Sequence, residues 1–291
     1  MPSASEARKV VDDGRLFPYE RYESRVGELA ERYQSTTPIP HVYLQNFLDE
    51  AVARAMRSEF PDHDDETWIQ YKHINERKSG KHVRAELPDL IGKVVDELNS
   101  PEFVSLVSRI TGIPGLLADP TIEGGGMHQA TSGGYLNMHT DFTMHRAIPN
   151  WRRRCNLILY LNDGWDPAWG GCIDFWAPDM SRQVASYPPQ LNCAVLFNTP
   201  GAPHGFPDPL RCPDNVARKS VQFYYYTADA PPDAAHHATH YMPVPKDGRV
   251  KRILIRIDNG MLAIYAWMKR RLGLSDETVS WVLGKLGGRK H

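Results

Sequence analysis

The sequence predicts a mainly β core, a sandwich, jelly roll or barrel, with helices on its N- and C-terminal flanks. Two observations carry that expectation. Between about residues 118 and 228, seven strand-like runs (PTIEGGGMHQA, GGYLNMHTDF, RCNLILYLN, GGCIDFWAP, QVASYPP, NCAVLFNT and KSVQFYYYTA) are separated by turns rich in Gly, Pro, Asn and Asp. On either side, apolar residues recur at three- and four-residue spacing, the period of a helix packed on one face. The chain has 291 residues, 41% of them hydrophobic, which is enough to build a full core.

Taken in order, residues 1–36 are polar, with no strong signal until Leu29, and read as a partly ordered lead-in. Val42 and Leu44 alternate with polar neighbours, as in a short strand. Asp49 stands as the cap of a helix whose apolar positions are Val52, Ala55, Met56 and Phe60. DHDDE makes a turn, and residues 68–75 are β-rich. Pro88 opens a helix with Ile91, Val94, Val95 and Leu98 on one face. Ser100 followed by Pro101 is a cap with proline at the first helical position, and that helix runs to Gly112. Past the strand-rich span, DAPPDAAHHATHYMPVPKDG reads as a linker whose His236, His237 and His240 are solvated. One helix then carries Met261, Ile264, Tyr265, Met268 and Leu272 and ends at Gly273. A second starts at Ser275 and carries Val279, Val282, Leu283 and Leu286. The expected organisation is helical support over 1–117, a β core over 118–228, and linker plus helices over 229–291, integrated as one domain.

Composition narrows the function. A net charge of -1 and a pI near 6.9 argue against a general nucleic-acid or membrane-surface binder. No run of eighteen apolar residues is present, so no membrane span is expected. The N-terminal stretch lacks the apolar segment of a secretory signal. Cys155, Cys172, Cys193 and Cys212 lie far apart with no CxxC, which reads as reduced thiols in a cytoplasmic protein, a setting that suits ferrous iron. The apolar stripes of the terminal helices are expected to pack on the domain or on a second copy, which leaves a homodimer open.

Three stretches carry chemistry. GGYLNMHTD places His139 and Asp141 two residues apart on a strand end, where alternate side chains share a face. Pro203-His204-Gly205 offers a third donor after the strand AVLFNT. Two histidines and one carboxylate, with the opposite positions open, are the donor set of non-haem Fe(II) oxygenases. A lone His-x-Asp pair says little; the glycine-rich turn before it and the bent Pro-Gly backbone at His204 give it weight. On RKSVQFYYY, Arg218, Ser220, Gln222 and Tyr224 share a face, and an arginine beside a hydroxyl can grip a carboxylate. On NLILYLN, Asn156, Ile158 and Tyr160 share a face. An inward Tyr160 hydroxyl needs a partner, which a dicarboxylic acid would supply. The plainer alternatives are an exposed strand-end arginine and a core tyrosine bonded to backbone.

From about Gly125 to Tyr226, a third of the chain, the sequence resembles the 2-oxoglutarate/Fe(II)-dependent dioxygenases, in particular the prolyl 4-hydroxylase-like branch. The matching runs, in the family's order, are GGYLNMHTD, CNLILYLNDGWDPAWGG, LFNTPGAPHGF and ARKSVQFYYY. The Tyr-Leu-Asn run before Trp165, Gly170 and Gly171 is more specific than the metal triad. The resemblance implies a double-stranded β-helix, a jelly-roll or cupin-like core with flanking helices. It implies Fe(II) held by His139, Asp141 and His204, and 2-oxoglutarate contacted by Arg218 and Tyr160, with Ser220 and Asn156 beside them. A family tyrosine near the cofactor falls on His128, and the spacing from Tyr135 to His139 is one residue longer than in the nearest prolyl hydroxylases, so their substrate does not carry over. The implied activity uses O₂, converts 2-oxoglutarate to succinate and CO₂, and hydroxylates an unactivated C–H, with ascorbate as reductant in vitro. Asp141 stands where halogenating relatives have a small residue. Epimerisation, desaturation and ring closure stay open.

For the substrate, the loop after the metal pair brings Arg146 and Trp151 toward the expected mouth, and Trp68 and Tyr71 are candidates for the opposite wall. The arginines 152–154 read first as a solvated turn. The mixture of aromatic and polar groups suits a sugar-bearing or amino-acid-like metabolite. A peptide substrate, or a jelly-roll module that binds without catalysis, are the competing readings. A closed pocket roofed by residues 65–80 or by the C-terminal helices would favour the small molecule, and a long, open groove with a mobile loop the peptide.

Overall fold

The computed structural model describes residues 15–122, 124–231 and 238–272, the last eleven of them as helix backbone only. In chain order, α1 (Tyr19–Glu23) and α2 (Val26–Ser35) precede β1 (His41–Leu44) and α3 (Glu50–Glu59). A hairpin of β2 (Ile69–His73) and β3 (Glu76–Lys81) leads to α4 (Asp89–Leu98) and α5 (Pro101–Thr111). The strand-rich part holds β4 (Leu117–Ala118), β5 (Gly126–Ala130), β6 (Tyr135–Thr140), β7 (Arg152–Tyr160), β8 (Ile173–Trp176), β9 (Gln183–Tyr187), β10 (Cys193–Asn198), β11 (His204–Phe206) and β12 (Arg218–Thr227). The described chain ends in β13 (His240–Tyr241) and α6 (Arg249–Leu272).

All strands join one sheet in the order β1-β10-β7-β12-β5-β3-β6-β11-β8-β9, with β13 added on β6, β2 on β3 and β4 on β12. The pairings are antiparallel, and the sheet curls into a nearly closed jelly-roll barrel. Two-residue alternation divides its side chains. Leu157, Leu159, Val221, Phe223 and Tyr225 face outward into one core with α4 and α5, and Ile158 and Tyr160 face inward with Phe175, Val195 and Phe197. The inward face is where polar groups can converge.

The helices are held by that outer core. On α4, Ile91, Val94, Val95 and Leu98 are buried, whereas the Lys93–Asp89 pair on the same helix is exposed. A buried aliphatic side chain contributes about 1.5–3 kcal/mol, an exposed ion pair about 0–1, so packing decides where the helix lies. The Ser100 hydroxyl accepts from Phe103 N at 3.2 Å and Gly112 closes α5 at φ 72°, as the cap and stop signals predict.

Several expectations change. The lead-in is ordered from residue 15: Leu16, Phe17, Tyr19 and Tyr22 are buried against Phe47 and Phe103. Asp49 makes no side-chain cap and pairs instead with Arg21. The region read as helical support also supplies β1, β2 and β3 to the sheet. The linker ends in a strand: Tyr241 pairs with His139, and His240, exposed, with Thr140. The first C-terminal helix begins at Arg249, well before Met261. His236, His237 and the second C-terminal helix lie outside the described residues. No helix of the described residues is long and apolar enough to cross a membrane.

Candidate active site

Strand register brings the metal candidates together. His139 is the penultimate residue of β6 and His204 begins β11, and the two are direct Cα partners. Their ring centroids are 4.4 Å apart. Asp141 follows β6, and one donor atom from each of the three lies within 4.8 Å of the others. Each ring is set by its backbone: His139 Nδ1 meets Asn137 O at 3.0 Å and His204 Nδ1 meets Ala202 O at 3.0 Å. A carbonyl only accepts, so both Nδ1 atoms carry a proton and both rings turn Nε2 toward Asp141. Those Nε2 atoms lie 3.6 Å from Asp141 Oδ1 and Oδ2. Burial pushes the His204 pKa down to about 4, helped by His139. Burial alone would raise Asp141, but Arg153, His204 and His139 overcome it and hold the carboxyl well below its ordinary range. Two imidazoles and an ionised carboxylate converging on one point fit ferrous iron.

Asp141 is held from behind. Asn156 Nδ2 donates to its Oδ2 at 2.8 Å, and Arg153 Nη2 lies 3.1 Å from the same oxygen. Asn156 thus contacts the metal-binding carboxylate. Arg153 is buried, although the sequence reads it as part of a solvated turn. Strict alternation from Asn156 would turn Arg154 inward; instead a bulge shifts the β7–β12 register, so that Cys155 pairs with Tyr225 but Arg153 with Tyr226. Arg153 therefore shares the inward face with Asn156. A bulge of this kind leaves no mark in the hydrophobic pattern.

The Arg218–Tyr160 pair lies further along the same strands. Arg218 opens β12, buried, and its Nη2 donates to the Tyr160 hydroxyl at 3.3 Å. Its Nε donates to Gly171 O at 2.7 Å. Its guanidinium also lies over the Phe206 ring at 4.3 Å. Gly171 is required here: its φ is +76°, and a Cβ would come within 2.6 Å of Leu210 Cδ2 and 3.1 Å of Arg218 Cδ. Ser220 Oγ is buried with no hydrogen-bond partner, and its strand neighbours in register are Tyr160 and His128. His128 is buried; burial, with Lys78, pushes its pKa down to about 3. It is therefore neutral, and its Nε2–H is shared between Gly124 O at 3.2 Å and Gly125 O at 3.1 Å. Its donor is spent on backbone.

One cavity, of about 1010 Å³ including its open mouth, connects these groups. Its roof comes from outside the strand-rich span: Tyr71, Glu76 and Lys78 from the β2–β3 hairpin, Thr239 and Tyr241 from β13 and the residue before it. Glu76 is bonded to His73 Nε2 at 2.8 Å and to Lys78 Nζ at 3.1 Å. Tyr241 packs its ring 5.7 Å from that of His139. Of the four substrate candidates, Arg146 and Tyr71 line this cavity. Trp68 does not: it is buried against Phe60, with Nε1 donating to Asp62 O at 2.8 Å. Trp151 is also elsewhere, packed on His145 and Tyr226. Glu76, Lys78 and Tyr241 escape a sequence reading because ERKSGK and HHATHYMPVP carry loop-like composition.

No curated protein matches the sequence. Among solved structures, a Trichoplax adhaerens prolyl hydroxylase, in complex with a hypoxia inducible factor oxygen degradation domain peptide fragment, is similar at 14% identity and a TM-score of 0.52, over 72% of this chain and 91% of that one. A Pseudomonas putida prolyl-4-hydroxylase is similar at 18% identity and a TM-score of 0.49, over 68% of this chain and 98% of that one. HygX from Streptomyces hygroscopicus, with nickel, 2-oxoglutarate and hygromycin B bound, is similar at 11% identity and a TM-score of 0.46, over 68% and 86%. Residues 125–226 match the 2OG-Fe(II) oxygenase superfamily, and they span β5 to β12, the strands that bear the metal donors, Tyr160 and Arg218. The matched segment, about a third of the chain, carries the whole donor set, and the two together support an oxygenase that uses iron and 2-oxoglutarate.

Proposed function

We propose that the enzyme oxidises, by default hydroxylates, an unactivated C–H of a polar small molecule, such as a sugar-bearing or amino-acid-like metabolite, while 2-oxoglutarate becomes succinate and CO₂. The observation that carries this reading is the roof. Tyr71, Glu76, Lys78 and Tyr241, from outside the matched strands, line the cavity with aromatic, charged and hydroxyl groups, a lining that suits a polar small molecule. Iron and the keto acid supply the oxidising power when bound; the protein's own work is to bind, orient and exclude water. In this reading His139, Asp141 and His204 hold the metal. Arg218 and Tyr160 take the far carboxylate of 2-oxoglutarate by charge-assisted hydrogen bonds, with Ser220 Oγ as a further donor. Asn156 orients Asp141. Arg146 and Tyr71 face the substrate, and the Lys78–Glu76 pair gives the roof a polar lining. A cytoplasmic setting, in which the four free cysteines stay reduced, and a place in secondary metabolism belong to the same proposal.

The test is a coupled assay. Purified protein with Fe(II), ascorbate and 2-oxoglutarate is screened against panels of polar metabolites and of proline-containing peptides, following succinate and the product mass. Succinate released together with a product heavier by one oxygen, for a small molecule and for no peptide, is the expected result. Coupled turnover of a peptide alone would overturn the substrate class, and no succinate with any addition would leave a binding module.

A further inference from the structure

Arg153 has more capacity than its contacts use. Its Nε donates to Asn156 Oδ1 at 2.8 Å. Its guanidinium carbon lies 3.4 Å from the centre of the Tyr224 ring and 4.5 Å from that of Phe142. The residue is 2% exposed. Both outer nitrogens, Nη1 and Nη2, are buried without a hydrogen bond; the approach of Nη2 to Asp141 Oδ2 is an ion pair out of line for one. Arg153 lines the cavity beside His139, Asp141 and His204. Burying unpaired N–H groups of a cation is costly. A planar fork of such groups is shaped for a planar oxyanion.

We propose that Arg153 binds the carboxylate at the keto-acid end of 2-oxoglutarate, next to Asp141. The inference rests on the reading above in which Arg218 holds the other end. Asn156, bonded to Arg153, and Tyr160, bonded to Arg218, are four residues or roughly 13 Å apart along β7, so these two arginines stand at opposite ends of the pocket. With the far carboxylate on Arg218 and Tyr160, the keto-acid end reaches the metal, where Arg153 waits with unpaired donors. The other nearby candidate from β5 is unsuited: His128 has spent its N–H on Gly124 and Gly125, and its remaining lone pair repels a carboxylate. Arg153 is thus a cofactor-binding residue as well as a neighbour of Asp141.

Calorimetry on the full chain saturated with Mn(II), in the absence of any substrate, separates the two arginines. The probes are 2-oxoglutarate and oxalate, which chelates a metal but has no distant carboxylate. Arg153→Met should weaken both about tenfold or more, and Arg218→Met should weaken 2-oxoglutarate while leaving oxalate unchanged. If Arg153→Met leaves both affinities within about twofold on the metal-saturated protein, and lowers only the affinity for Mn(II), the residue serves Asp141 alone and the proposal falls. Should Arg153→Met fail to fold by circular dichroism, Arg153→Lys decides: one ammonium replaces the fork, and an unaltered oxalate affinity is again fatal. A wild-type protein that binds Mn(II) but neither acid removes the cofactor reading itself, and this inference with it.

Discussion

The floor and the roof of the cavity are built differently. The floor is the barrel: β6, β7, β11 and β12 present His139, Asn156, Tyr160, His204 and Arg218 from the inner face of a continuous hydrogen-bonded sheet, packed from behind by α4 and α5. The roof is the β2–β3 hairpin, two residues of β13 and the start of α6. These are joined by side chains: Asn75 Nδ2 to Asp258, Asn259 to both backbone groups of Tyr241, and Glu76 to His73 and Lys78. A sheet edge gives a fixed angle to every side chain, so the reaction is assigned to the floor. A roof tied by a few polar links can change its lining without disturbing the metal, so specificity is assigned there. Changes in the floor should stop the chemistry and spare the fold; changes in the roof should do the reverse in milder form.

The sharpest way to break that contrast is at the metal. His204→Ala or Asp141→Ala is expected to abolish succinate formation, and metal affinity in calorimetry should fall about tenfold or more, because one of three donors is lost. In His204→Ala the melting temperature should move by only a few degrees, since the removed ring is polar and lines a cavity; Asp141→Ala also strands the buried Arg153 cation and should cost more. Full turnover in either variant would move the metal elsewhere. A collapse of the fold would erase the distinction between floor and roof.

Asp258 tests the roof. Its carboxylate accepts from Asn75, whose Oδ1 in turn accepts from Asn137 Nδ2 at 3.0 Å, two residues before His139. Asp258→Ala strands the buried Asn75 amide, and about 1–3 kcal/mol of stability is the expected loss by denaturant titration. The affinity for 2-oxoglutarate should hold, because the Arg218 guanidinium rests on Gly171, Tyr160 and Phe206, while turnover without substrate should rise several-fold as water reaches the site. A change in 2-oxoglutarate affinity equal to that of Arg218→Met would show that the roof and the cofactor end are one unit.

The same contrast explains what the sequence disclosed. His139, Asp141, His204, Tyr160 and Arg218 lie on strands that alternate cleanly between Gly-, Pro- and Asn-rich turns, and alternation is the one long-range statement a sequence makes about side-chain direction. Arg153 was hidden by a bulge, which reverses the face after one residue. Glu76 and Lys78 were hidden because β3 is paired on both sides yet carries no apolar run: its inward positions are charged and its partners are three different strands. Trp68 and Trp151 misled for the opposite reason. Large aromatics near a mouth suggest ligand contact, but each has a core of its own to fill, and Trp68 shields Lys81, whose ammonium lies 5.4 Å from its ring centre.

The smallest expected effect concerns the link between His73 and Glu76. The hydrogen bond from Glu76 raises the His73 pKa above 6.5 against burial, and Asp258 adds to it. Burial works to raise Glu76, but Lys78 and His73 overcome it and lower its pKa below 4.5. The signs then differ. The His73 contribution is fully present below about 6.5 and is lost as the pH rises through its elevated folded value. The Glu76 contribution is present above about 4.5 and is lost only as the pH falls through its depressed one. Between those limits both act, so the roof should be tightest in mildly acidic solution and loosen above neutrality. His73 is more than a third exposed, so solvent screening keeps the effect modest. Hydrogen exchange at the β2–β3 hairpin should quicken between pH 6 and pH 8 beyond the intrinsic chemical rate, while exchange in β7 and β10 should not. In His73→Gln, which cannot titrate, that excess should vanish. An excess that persists in the variant would assign the loosening to another group and detach the roof from its histidine.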